Sequence, residues 1–220
     1  GYSDRFSDVD LVVVWKNHYP KQRIRNELCQ KLKFKINFFQ DSKFMASESF
    51  VINNITYNIS HRLDFDFFSI YSAAQTQLVN DFNLYTLGGF KRGKIIYDPE
   101  NKLENYRKSL SVTKKIISNY KRTRNNSIAC NLEEVRVAGQ RNQPIAYLKN
   151  LSFLLTTFGI LLYLEEGQFP MVPKWIEKDA KVFGWDNKFL YVLKTIKTSL
   201  SFIKINSKLF EFIEQSGLTK

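Results

Sequence analysis

Two aspartates, Asp8 and Asp10, stand where the polar loop Gly1-Tyr2-Ser3-Asp4-Arg5-Phe6-Ser7 runs into the apolar stretch Leu11-Val12-Val13-Val14-Trp15. A loop rich in Gly, Ser and Asp followed by a β-branched run reads as the entry to a buried strand. Side chains two apart on a strand share a face, so both carboxylates point one way while Val9 and Leu11 take the other. Neighbouring acids repel unless a cation lies between them. A divalent metal answers that need, and Mg²⁺ is commonly held by one or two carboxylates together with substrate phosphates. The plain reading of Asp-x-Asp alone is a solvated acidic loop capping a strand, and the residues around the pair must decide between the two.

The text Gly1-x-x-Asp4-x-x-Ser7-Asp8-x-Asp10-Leu11 resembles the signature of the DNA polymerase β-like nucleotidyltransferase superfamily. That superfamily includes the enzymes that adenylylate aminoglycoside and lincosamide antibiotics. On its pattern Gly1 matches the glycine of an Arg-Gly step, and the Gly-Ser pair that holds the triphosphate would lie upstream of this chain. The expectation is therefore an N-terminally incomplete catalytic domain. The resemblance further implies that Ser3 and Ser7 bond phosphate oxygens and Arg5 neutralises the triphosphate, with Gly1 in the same nucleotide-binding turn.

A second charged stretch, Ser60-His61-Arg62-Leu63-Asp64-Phe65-Asp66-Phe67-Phe68, alternates charged and apolar residues, which predicts a strand with one charged face. Charges there are costly to bury without partners. The family places a third carboxylate on a strand beside the first two, and Arg62-Leu63-Asp64-Phe65 looks like its Arg-hydrophobic-Asp-hydrophobic text. Asp64 is thus the implied third metal ligand and catalytic acid, with Asp66 as an extra ligand, a general base or a merely exposed residue. Two Mg²⁺ ions bridging Asp8, Asp10, Asp64 and the phosphates of ATP would activate an acceptor hydroxyl and stabilise the leaving pyrophosphate.

The elements that must position these groups follow from periodicity. Leu11–Trp15 is a strand, and Lys21–Lys31 a short amphipathic helix with Ile24, Leu28 and Leu32 on its apolar face. Phe34–Phe39 reads as a strand, and Asn53-Asn54 as the turn of a hairpin. Ser69–Leu87 reads mainly as helix, and Gly88-Gly89 leads a turn into a last sheet strand, Lys94–Tyr97, with Lys91, Arg92 or Lys94 as candidates to face phosphate. The Gly88 to Gly93 spacing imitates a phosphate loop, but Ile95 follows Lys94 where Ser or Thr is required. Beyond Pro99 the texture is helical: one helix over Leu103–Tyr120, a break at Asn125-Asn126-Ser127, a helix from Ile128, a central apolar helix from Pro144 to Glu165, a short one from Pro173, then Phe189–Ser201 and Leu209–Gln215. The expected fold is α+β, a mixed nucleotidyltransferase-type sheet with helices over 1–99 followed by an all-helical bundle over 100–220 that binds the acceptor or a partner. Glu165 and Glu166 are candidates to meet a cationic acceptor, against a simpler reading as solvated helix-end residues.

Composition narrows the classes. With 44% hydrophobic and 15% aromatic residues the chain is not disordered. Cys29 and Cys130 have no metal-like spacing, and His18 and His61 are too few for a zinc centre. Lysine abundance with two lone cysteines suggests a reduced, cytoplasmic protein, and no uninterrupted apolar run reaches the eighteen or so residues of a membrane span. A net charge of +12 suits a nucleoside triphosphate or nucleic acid, or simply solubility. The reading that best unites these signals is a Mg²⁺-dependent transferase moving AMP from ATP to a hydroxyl of a small molecule or protein. The alternatives are a nucleic-acid-directed terminal nucleotidyltransferase, for which no RNA-binding signature is visible, and a catalytically inactive regulatory or binding module on the same fold.

Overall fold

The computed structural model describes residues 8–41, 46–76, 79–185 and 187, with backbone alone at 37–41, 65 and 177. The chain divides into two compact units, 1–70 and 71–220, so the division falls earlier than the composition change at Pro99.

Unit one is built on a four-stranded mixed sheet in the order β1-β4-β3-β2. β1 (Val9–Trp15) runs parallel to β4 (Ile55–Leu63), while β4 with β3 (Ala46–Ile52) and β3 with β2 (Lys35–Asp41) are antiparallel. The β3–β4 hairpin turns at Asn53 and Asn54, with φ of 50° and 62°. Asparagine tolerates this left-handed conformation and suits the two-residue turn that matches strand twist.

Helix α1 (Gln22–Lys31) appears where its spacing places it, but with its faces reversed. Arg25 and Cys29 are buried, whereas Ile24, Leu28 and Leu32 are more than half exposed. The reason is electrostatic: Arg25 is drawn in by the buried Glu48 of β3, and its guanidinium fixes which side of α1 meets the sheet.

The stretch expected as a strand through Phe68 is strand only to Leu63. Helix α2 (Asp64–Thr76) begins at the next residue. Asp66 Oδ2 accepts a hydrogen bond from the Leu63 backbone N–H at 3.0 Å, the reach-back half of a capping box. Asp64 and Asp66 both sit in the first turn, where negative charge suits the helix dipole. Alternation in the sequence arises here from a strand end meeting a helix start.

Unit two is helical. α3 (Asp81–Arg92) is capped by the Asn80 side chain, which accepts from Asn83 N. Gly88 and Gly89 lie inside α3 rather than in a turn. A Cβ on Gly88 would overlap the Pro170 carbonyl, whose carbon is 2.8 Å from that position, so glycine allows the two backbones to meet. Residues 94–98 form no strand, which corrects the expected last sheet strand Lys94–Tyr97. The expected helix Leu103–Tyr120 is two helices, α4 (Lys102–Ser109) and α5 (Lys114–Gln140). The break has clear causes: Thr113 Oγ1 accepts from Ile116 N, and Lys91 Nζ donates to the carbonyls of Arg107 and Leu110, each at 2.8 Å. Asn125, Asn126 and Ser127 do not interrupt α5, since both asparagines face solvent while Ile116, Tyr120, Ile128, Leu132 and Val135 continue the buried row.

α6 (Pro144–Glu165) starts on Pro144 as expected and packs antiparallel to α5 after the short turn 141–143. It has the length and apolarity to cross a membrane, yet Tyr147, Leu151, Leu154, Phe158, Leu161 and Tyr163 are buried within the protein. Gly167, at φ 70°, ends it. A 3-10 turn (Pro173–Trp175) leads into α7 (Ile176–Phe183), as the Pro173 signal predicts. Asp179 of α7, fully buried, is paired by Arg92 at 2.8 Å and by the Tyr163 hydroxyl. The helices expected at Phe189–Ser201 and Leu209–Gln215 lie outside the described residues.

Candidate functional site

Strand β1 lies at one edge of the sheet, and its first residues carry the carboxylate pair. Asp8 immediately precedes the strand and Asp10 is its second residue; both are exposed. The parallel register sets Asp10 beside Asn58 of β4, and β3 sets Ser49 on the other side of Asn58. Paired residues share a face, so Asp10, Asn58 and Ser49 stand abreast on three strands. Ser60 and Ser47 form the next row along that face. The Asn58 amide nitrogen donates to Asp8 Oδ2 at 2.6 Å and to Asp10 Oδ1 at 3.1 Å. An amide nitrogen has two N–H donors, so Asn58 spends one on each carboxylate and holds the pair together.

The opposite face of the same strands carries a second polar constellation, built on the buried Arg25, Glu48 and His61. Trp15 Nε1 donates to His61 Nδ1 at 3.0 Å, and His61 Nε2 lies 2.7 Å from Glu48 Oε2. Indole N–H is a donor only, so Nδ1 accepts from Trp15 and the Nε2 proton is directed at Glu48. Arg25 Nε donates to Glu48 Oε1, and Arg25 Nη1 to the Pro20 carbonyl. Burial pushes the Glu48 carboxyl up, but the hydrogen bond from His61 and the ion pair with Arg25 outweigh it and hold it below its usual range. This network locks α1, β1, β3 and β4 together behind the carboxylate pair.

Asp64 is not brought to Asp8 and Asp10. Asn58 pairs with Asp10, while Leu63, the last residue of β4, pairs with Trp15 at the other end of β1. Five residues of strand span about 16 Å at ~3.3 Å each, and Asp64 lies one residue further on. Asp66 is still further along, engaged in capping α2. Gly1, Ser3, Arg5 and Ser7, expected around the triphosphate, lie outside the described residues. Of the basic candidates for phosphate, Lys91 ends α4 and Arg92 pairs with Asp179, leaving Lys94 exposed. Lys121 at 2.9 Å pairs with Glu165, one of the two acids considered for the acceptor.

Asn58 is the member that sequence reading missed. Its signal was present, since asparagine is disfavoured in strand interiors and Asn58 lies between Tyr57 and Ile59. Its partners, however, are set by a parallel register between residues 48 and 50 apart in the chain.

The oxygen-rich set Asp8, Asp10 and the Asn58 carboxamide is chemistry for a hard divalent cation such as Mg²⁺. A three-carboxylate set is not assembled: among the described residues no three acids, histidines or cysteines cluster. Among the described residues, then, the donor set at this place is two carboxylates and one carboxamide.

A crystal structure of a nucleotidyltransferase-like protein from Exiguobacterium sibiricum 255-15 is similar in fold, with a TM-score of 0.50 at 13% identity over 80% of this chain. The chain spans 59% of the length of that protein. At this identity the likeness is one of fold, and it agrees with the α+β architecture of a mixed sheet with helices that the sequence implies. No family model matches the chain, and no curated protein matches it.

Proposed function

We propose that this chain is the nucleotide-handling part of a nucleotidyltransferase, in which Asp8 and Asp10 hold a magnesium ion on the triphosphate of ATP and AMP passes to a hydroxyl of a small molecule or protein. The observation that carries this reading is the carboxylate pair held side by side by Asn58 on the open, polar face of a nucleotidyltransferase-like sheet. A magnesium ion there supplies positive charge against the phosphates. Asp8 and Asp10 bind, Asn58 orients them, and the buried network behind β1 keeps the strand from shifting. The net charge of +12 raises the local concentration of polyanionic nucleotide. In the transfer, the acceptor oxygen bonds to the α-phosphorus, the bond to the bridging oxygen of the β-phosphate breaks, pyrophosphate leaves, and the acceptor proton goes to solvent.

The test is transfer of label from α-labelled ATP with Mg²⁺ in the intact protein. Asp8→Asn with Asp10→Asn abolishes the label; label surviving both changes ends this reading. One observation favours a second reading, a module that binds nucleotide without turning it over: Asp64 stands at the far end of the strand pair. Saturable, Asp8- and Asp10-dependent binding of a non-hydrolysable ATP analogue without any transfer selects the second reading.

A further inference from the structure

We propose that one face of α6 is a docking surface for the chain's own C-terminal segment, with Leu193, Ile196, Leu200 and Ile203 lying along Leu155, Ser152, Leu148 and Ile145 in antiparallel register.

Among the described residues the N-terminal half of this face is open. Ile145 and Leu148 are 85% and 52% exposed, Ser152 is exposed and Leu155 half-buried, whereas Tyr147, Leu151, Leu154 and Phe158 on the other side of the helix are buried. Ile145, Leu148, Ser152 and Leu155 follow one another at intervals of three, four and three, the spacing of a seam between two helices. Further along, the same stripe is covered. Ile176 Cδ1 is 2.7 Å from where a Cβ on Gly159 would stand, and the rings of Phe183 and Trp185 lie 6.2 and 4.9 Å from that of Tyr163. α7 and the residues after it thus close the C-terminal half of a face whose other half is bare.

The occupant follows from where α7 stops. Gly184, at φ 63°, ends the helix, and the Trp185 N–H donates to the Ala180 carbonyl, a geometry that turns a chain out of a helix. Trp185 is anchored on Tyr163, and Asn187 is helical again. The sequence beyond carries Leu193, Ile196, Leu200 and Ile203 at intervals of three, four and three, which matches the α6 seam read in reverse. On a helix Lys194, Lys197 and Ser201 fall outside that stripe. Leu200 lies as many residues after Trp185 as Leu148 lies before Tyr163, about 22 Å of helix in each case at ~1.5 Å per residue. A helix that leaves Trp185 and runs back along α6 therefore brings Leu200 level with Leu148, with large Ile196 opposite small Ser152. Tethered beside the face, this segment has an effective concentration that a free partner does not reach.

The test is disulfide formation in the full chain carrying Cys130→Ser, which removes the exposed native thiol. Leu148→Cys with Leu200→Cys is expected to close a bond within one chain under mild oxidation. Leu148→Cys with Leu193→Cys, about 10 Å out of register, is expected to close about tenfold more slowly. Equal rates for the two pairs, or a bond formed only between chains, overturn the proposal. Hydroxyl-radical footprinting of the unaltered chain needs no variant to fold. Ile145 and Leu148 are expected to be modified several-fold less than Ile96, which is 78% exposed. Modification of Leu148 equal to that of Ile96 overturns the proposal, and protection that appears only as chain concentration rises overturns it by giving the face to a second copy.

Discussion

Glu48 offers the sharpest test of how the site's foundation is built. Its carboxylate and the Arg25 guanidinium are 3% and 5% exposed, and both Arg25 Nε and His61 Nε2 donate to it. Glu48→Gln keeps the shape but leaves one acceptor oxygen for two donors and a buried guanidinium without its counter-charge. Removing one partner of a buried ion pair costs about 3–5 kcal/mol. Even the lower value raises the unfolded population of unit one by about a hundredfold at 1.4 kcal/mol per decade. Because the chain has two compact units, the assay is amide hydrogen exchange of β3 and β4 in graded urea, which reads unit one separately. The companion variant Arg25→Met with Glu48→Gln removes the stranded charge and lets the glutamine oxygen serve His61 alone. It regains about 2 kcal/mol or more relative to the sum of the single changes. A Glu48→Gln protein destabilised by less than about 1 kcal/mol, or a pair of changes that simply add, refutes the network as described.

Acid exposes the same network. The folded-state pKa of Glu48 is depressed, so its contribution is complete above the usual carboxyl value of 4.5 and is lost as pH falls through the lower folded value; urea midpoints of unit one measured between pH 7 and pH 3 check this. Gly88→Ala gains about 1 kcal/mol of helix propensity but drives a methyl into the Pro170 backbone, where overpacking costs about 1–3 kcal/mol or more. The net result is a melting temperature lowered by a few degrees, and an unchanged or raised one contradicts the close approach. Asp66→Ala removes the acceptor for Leu63 N–H and frays the first turn of α2, at about 0.5–2 kcal/mol. Amide exchange at Leu63 reads it, and unchanged protection there would contradict the cap.

What the sequence makes legible is local. Asp8 and Asp10 share a face because a strand repeats every two residues, and Asn53-Asn54 turns because asparagine accepts positive φ. Pro144 starts α6 because proline has no N–H to lose at a helix start. What it conceals depends on partners far along the chain. The apolar row Ile24, Leu28 and Leu32 points to burial, yet a single ion pair with a residue on β3 turns α1 the other way. The run from Arg62 to Phe67 alternates as a strand does, but Asp66 folding back on Leu63 makes a helix of its second half, and short runs do not separate these periods. That one change of period moves Asp64 away from the carboxylates it was expected to join, while Asn58, unremarkable by itself, becomes their neighbour.

The parallel pairing of β1 with β4 also orders the assembly of the molecule. α5 and α6 meet across the turn 141–143, and β3 meets β4 across two asparagines, so both hairpins close over short loops. β1 must wait for the whole of α1, β2 and the β3–β4 hairpin, since its partner begins forty residues after it ends, and ordering so long a loop costs entropy before any contact repays it. Pulse-labelled refolding is expected to protect the amides of β3 and β4 ahead of those in Val9–Trp15. On that order the edge strand that presents the two aspartates joins its sheet after the neighbouring hairpin, and a chain caught before that step has β3 and β4 paired but Asp8 and Asp10 not yet beside Asn58.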